Sequence, residues 1–147
     1  MKEIHAQIEI NATPERVWKI FTNFAAYPEW NPFIRSAVCH ELKPGEIIEI
    51  ALLPPGGEGW TFHPVLTTVR PERELEWLGR FILPGLFDGK HSFLIEAMDQ
   101  HRIRFTQAET FRGVLVPFFG GLLEKTRAGF EEMNRALKQR AESTLSL

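Results

Sequence analysis

The sequence predicts an α+β fold: one strand, two short helices, six further antiparallel strands and a long closing helix. Three observations carry it. Apolar and polar residues alternate over residues 2–10. Turn-forming clusters punctuate residues 34–112 at short intervals. From Leu122 to about Ala141 the apolar period becomes helical.

Each element has its local reason. In residues 2–10, Ile4, Ala6, Ile8 and Ile10 oppose His5, Gln7 and Glu9, the pattern of a strand with one buried face. Thr13 can cap the helix that follows, Pro14 suits its first position, and Glu15 favours its positive end. Val17, Ile20, Phe21 and Phe24 form its apolar stripe. Pro28 and Pro32 then prevent one long helix. Strands are expected over 34–42, 46–53, 60–70, 73–81, 89–98 and 101–112, separated by Lys43-Pro44-Gly45, residues 54–59, Pro71-Glu72, residues 84–88 and Asp99-Gln100-His101. In the closing helix Leu122, Thr126, Phe130, Met133 and Leu137 share a face, over a length of roughly 30 Å.

Two hairpins can be given a register. Around Pro71-Glu72, opposing Arg70 to Arg73 sets Leu66 opposite Trp77 and Phe62 opposite Phe81, which gathers large apolar residues on one face. His63 falls on the other face, and Pro64 marks a local irregularity. In the last hairpin a three-residue loop, 99–101, sets Ile95 opposite Phe105, Phe93 opposite Gln107 and His91 opposite Glu109. A two-residue loop would oppose Ile95 to Arg104 instead.

The segment Phe24-Ala25-Ala26-Tyr27-Pro28-Glu29-Trp30-Asn31-Pro32-Phe33 concentrates aromatics in a broken stretch. It suits a lid over a cavity and so a small hydrophobic molecule as ligand. Composition narrows the classes further. The chain has 147 residues, 44% hydrophobic and 24% charged, with a formal charge of -2. One domain, 1–147, is expected, with no basic footprint for nucleic acid. Cys39 is the single cysteine, so no internal disulfide forms. The longest apolar run, 113–123, is broken by Pro117 and falls far short of the ~20 residues of a membrane span. A cytoplasmic protein without a membrane span is expected, and a homodimer is left open. His5, His40, His63, His91 and His101 show no metal-ligand spacing, so neither metal nor cofactor is expected. Gly56-Gly57-Glu58-Gly59 leads into a strand and reads as a hairpin loop, and no Gly-x-Ser-x-Gly elbow is present.

Thr13-Pro14-Glu15-Arg16-Val17-Trp18, Tyr27-Pro28-Glu29-Trp30-Asn31-Pro32-Phe33, Gly89-Lys90-His91-Ser92-Phe93 and Glu109-Thr110-Phe111-Arg112-Gly113, with the closing amphipathic helix, resemble the START-like, or SRPBCC, superfamily. The similarity runs nearly end to end and is greatest to the polyketide cyclase/dehydrase and lipid-transport type. It implies a helix-grip fold: a seven-stranded antiparallel curved sheet wrapped around the long C-terminal helix, with a hydrophobic cavity between them.

Under that resemblance the ligand wall is expected at Tyr27, Trp30, Phe33, Phe62, Trp77, Phe93, Phe105, Gln107, Leu122, Thr126, Phe130 and Met133. Trp30 and Tyr27 are the lid candidates. The plainer reading is that such aromatics only fill core. His91, Gln107 and Glu109 form the best polar constellation, and mutual pairing is expected to keep His91 protonated to higher pH than a free histidine. A binding module for a lipid, aromatic or polyketide-like molecule is one reading. A cyclase or dehydratase is the other, with His91 and Glu109 as acid and base and Tyr27, the single tyrosine, as a donor. A third reading has residues 114–119 docking a protein partner.

Overall fold

The computed structural model describes residues 1–81 and 83–143. Alternation produces strand β1, Lys2–Ile10, which buries Ile4 and Ile10. Helix α1, Pro14–Thr22, starts as its sequence requires: Thr13 Oγ1 accepts from the Arg16 amide at 3.2 Å. Its buried stripe is Val17, Ile20 and Phe21. A 3-10 turn at Phe24–Ala26 and the four-residue helix α2, Tyr27–Trp30, follow. Asn31 ends α2 by accepting on Oδ1 from the amides of Phe33 and Ile34 at 3.0 and 2.9 Å.

The strands after α2 are β2 Ile34–Cys39, β3 Ile48–Leu52, β4 Trp60–Phe62, β5 Val65–Arg70, β6 Glu74–Arg80, β7 Asp88–Asp99 and β8 Arg102–Arg112. They form a five-stranded sheet, β1-β8-β7-β6-β5, and a three-stranded sheet, β2-β3-β4, all antiparallel. The antiparallel α+β architecture stands, but eight strands replace the seven expected. The predicted strand 60–70 breaks at Pro64, which cannot donate to a ladder. Its first part joins β3 and its second joins β6; a single bridge, Ile47 to Val65, and the Ile48 amide on the Pro64 carbonyl at 3.0 Å link the two sheets.

Both hairpins keep their predicted register in the core and change it at the turn. Leu66 opposes Trp77 as expected, but Arg70 opposes Glu74. The Arg73 amide donates to the Arg70 carbonyl at 2.9 Å and Glu72 has φ 68°, so residues 70–73 form a turn of type II with Pro71 at its second position. A bulge at Thr67 absorbs the extra residue. Phe62 pairs with Ile50 in the other sheet, yet its ring still meets Phe81 at 5.0 Å. In the last hairpin Ile95 opposes Phe105, Phe93 opposes Gln107 and His91 opposes Glu109. A bulge at Met98 sets Asp99 against Arg102, so the loop is Gln100-His101 rather than three residues.

After a 3-10 turn at Val116–Phe119, helix α3, Gly120–Glu142, closes the chain. It buries Leu123, Thr126, Gly129, Phe130, Met133, Asn134, Leu137 and Ala141 against the inner face of the larger sheet, α1 and α2. Phe33 lies flat where a Cβ at Gly129 would collide with its ring. The C-terminal end of α3 is tied down by Arg16, whose guanidinium donates to the carbonyls of Ala141 and Ser143 at 2.6 and 2.7 Å.

Candidate functional site

The inward face of the larger sheet changes character along its length. On β6 and β7 the inward pairs run Leu75–Phe93, Trp77–His91 and then Gly79–Gly89. Side chains fill the first two rows; the third has none. A Cβ at Gly79 would press on the Phe62 ring at 3.2 Å, and one at Gly89 would overlap the Glu109 carboxyl. Phe62, Phe81 and Glu109 cover the two glycines, and these three side chains in turn line a cavity of about 290 Å³. Its walls are apolar. Leu52, Trp60 and Phe62 come from the smaller sheet, Phe81, Phe87 and Phe111 from the larger sheet and its loop, and Phe33, Phe119 and Leu122 from the helical side. Three polar residues reach it: His91, Glu109 and Thr126. The Thr126 hydroxyl is already committed, donating to the Leu122 carbonyl at 2.8 Å.

The structure brings Phe33, Phe62, His91, Glu109, Leu122 and Thr126 of the predicted set to this cavity. Tyr27, Trp30, Trp77, Phe93, Phe105, Gln107, Phe130 and Met133 lie outside its lining, in or against the filled core. The physical cause is α1. Phe21 enters between the sheet and α3, with its ring 4.8 Å from Phe93 and 5.5 Å from Phe105. Tyr27 is fully buried and donates its hydroxyl to the Phe21 carbonyl, so burial pushes its phenol well above the ordinary range. Trp30 packs edge-on to Tyr27 at 5.2 Å. The aromatic segment is therefore an anchor for the end of α1, and only Phe33 extends from it to the cavity. Sequence reasoning missed Leu52, Trp60, Phe81, Phe87, Phe111 and Phe119. Phe81 and Phe111 were within reach of it, because they continue the inward alternation of β6 and β8 by one more step.

His91 sits in an aromatic box. Its ring stacks on Phe93 at 4.1 Å and meets Phe130 at 4.6 Å and Trp77 at 5.2 Å. Nε2 faces Gln107 Oε1 at 3.0 Å, and Gln107 Nε2 donates to Asn134 Oδ1 at 2.8 Å. Desolvation drives the imidazole down to about 3, partly offset by the Gln107 hydrogen bond. Desolvation also drives the Glu109 carboxyl up to about 8. This reverses the expected protonation of His91. Its Nδ1 is 3.8 Å from Glu109 Oε1, too far for a hydrogen bond, and burial outweighs the attraction that an ion pair would supply. Burial therefore favours the uncharged form of both groups. Glu109, with its side chain 9% exposed, has no hydrogen-bond partner among the described residues. Phe119, which lines the cavity, is partly exposed, and Leu83, Val114 and Phe118 are exposed as well.

A sheet holding a long C-terminal helix over an apolar cavity defines a START-like, helix-grip domain of the hydrophobic-ligand-binding class. The comparisons agree. Residues 1–142 match the family described as polyketide cyclase/dehydrase and lipid transport, and the chain belongs to that family. Among solved structures, a START superfamily protein from Mycobacterium smegmatis is 18% identical with a TM-score of 0.71, covering 95% of this chain and 97% of that one. The Zhui aromatase/cyclase from a Streptomyces species is 12% identical with a TM-score of 0.72, covering 99% of each chain. A Helicobacter pylori protein described as hypothetical is 13% identical with a TM-score of 0.79, covering 96% of this chain and 88% of that one. No curated protein matches. Among the described residues no helix is long and apolar enough to cross a membrane.

Proposed function

We propose that the protein binds a small hydrophobic molecule in the cavity beside Gly79 and Gly89, as a carrier or sensor. The single-domain unit for this is the whole chain, 1–147. The observation that carries the reading is the cavity itself: about 290 Å³ of space with almost entirely apolar walls. Such space costs stability unless a ligand fills it, and its size suits a small molecule. The free, half-exposed Cys39 suits a reducing, cytoplasmic setting. The test is Leu122→Trp, which places an indole into the cavity from α3. It should abolish binding of a hydrophobic dye such as Nile red while the circular dichroism spectrum is kept. Undiminished dye binding would place the ligand elsewhere.

One observation favours a second reading, a cyclase or dehydratase. Glu109 as a protonated acid and His91 as a neutral base face the same cavity. Turnover of a polyketide-like substrate that Glu109→Gln abolishes would support it. Tyr27, hydrogen-bonded inside the core, has no part in that chemistry.

A further inference from the structure

We infer that the cavity selects an uncharged apolar molecule bearing a hydroxyl group, held between Nδ1 of His91 and the carboxyl of Glu109. This rests on the cavity being the ligand site, as proposed above. Gln107 Nε2 lies 3.5 Å from the Phe130 carbonyl oxygen and 2.8 Å from Asn134 Oδ1. A main-chain carbonyl only accepts, so the Gln107 atom facing it is the amide nitrogen. Its Oε1 is therefore turned to His91 Nε2, where it can only accept. The imidazole proton is fixed on Nε2, and Nδ1 presents a bare lone pair towards Glu109.

Glu109 supplies the complementary group. Gly89 leaves the space its carboxyl occupies, and no described residue hydrogen-bonds it. Burial keeps it protonated, hence a donor. The corner thus offers one acceptor and one donor 3.8 Å apart, too distant to satisfy each other and close enough for one oxygen beside them to reach both. A hydroxyl both donates and accepts, so it answers both groups. A carbonyl or ether only accepts and leaves Nδ1 unused. A hydrocarbon leaves both unpaired. A carboxylate would bring a charge to a wall that carries no lysine or arginine.

Few charges stand near Glu109. β7 presents His91, and Lys90 projects from the opposite, exposed face. From β1, Ile4 lies opposite Glu109, while Lys2 interacts with the exposed Glu124 of α3. The carboxyl therefore titrates under the control of burial and of whatever occupies the corner.

Naphthylmethanol, the isosteric ethylnaphthalene, naphthaldehyde and naphthoate form a matched series for calorimetric titration at about pH 6. The alcohol should bind roughly tenfold or more tightly than ethylnaphthalene, with the aldehyde between and naphthoate weakest. Glu109→Leu should remove part of the alcohol's advantage, leaving only its hydrogen bond to His91 Nδ1, and leave ethylnaphthalene itself unweakened. Glu109→Gln, which retains a donor and cannot ionise, should keep the advantage at all pH values and guards against a folding defect in the leucine variant. Equal binding of alcohol and hydrocarbon overturns the hydroxyl inference and leaves the cavity reading standing. Binding of no member of the series sinks both. An undiminished advantage in Glu109→Leu removes Glu109 from the site.

Discussion

The same sheet face builds two unlike ends. Towards α1, the inward residues Leu75, Phe93, Ile95 and Phe105 are buried, and Phe21 packs on Phe93 and Phe105. At the other end the row after Trp77 and His91 is Gly79 and Gly89, and the side chains that cover it, Phe62, Phe81 and Glu109, border a cavity. Strand alternation is identical at both ends, so alternation decides only which way a position faces. Whether that face becomes core or cavity depends on side-chain volume, and on whether a neighbouring element reaches in to fill it.

The largest expected effect breaks the filled end. Phe105→Ala should cost about 3–5 kcal/mol by chemical denaturation, as for other buried phenylalanines. Phe62→Ala, at the half-buried cavity wall, should cost less than half as much. Equal losses would erase the contrast between the ends. Next, Gly129→Ala drives a methyl into the Phe33 ring, which is itself fully buried and has little room to move. A loss of about 1–3 kcal/mol is expected; an unchanged melting temperature would show that Phe33 shifts freely towards the cavity.

The pH dependence of stability sharpens the comparison at the polar row. Glu109, raised from its ordinary 4.5 to about 8, stabilises the fold fully below 4.5, and that contribution is lost as pH rises to about 8. His91, lowered from 6.5 to about 3, contributes fully above 6.5 and loses that contribution as pH falls to about 3. Between 4.5 and 6.5 the unfolded chain has released one proton and taken up another, so the two slopes cancel. This pair should give a plateau there with a decline on either side, on the order of 1 kcal/mol per pH unit. Glu109→Gln should remove the alkaline limb and tilt the plateau, so that the acid limb of His91 begins at 6.5. An alkaline limb that survives in that variant would assign it to another group.

The smallest effect concerns the aromatic segment. Trp30→Ala should leave dye affinity within about twofold, because Trp30 packs on Tyr27 and lies outside the cavity lining. A larger loss of affinity would restore Trp30 as a lid.

Much of the scaffold was legible in local pattern. Thr13-Pro14-Glu15 specified the start of α1. The facing of Ile95 with Phe105 specified the β7–β8 register, and with it the meeting of His91 and Glu109. These follow from short-range sterics and period-two alternation, which a chain carries in its own order. The Gly79–Gly89 pair was also in the sequence, as two inward strand positions without side chains, but its meaning depends on which strands pair.

Three things were decided only by the assembled fold. Phe21 fills the space that Tyr27 and Trp30 were expected to cover, because the direction in which α1 enters is set by its packing against α3 and β7. The end of α3 that lies over empty space follows from that packing. The protonation of His91 follows from Phe93 on its own strand together with Trp77 of β6 and Phe130 of α3, which only the fold brings around it. Pairing with a neighbour can be read from register. Desolvation sums over every element that excludes water, so it exists only once the tertiary structure has closed.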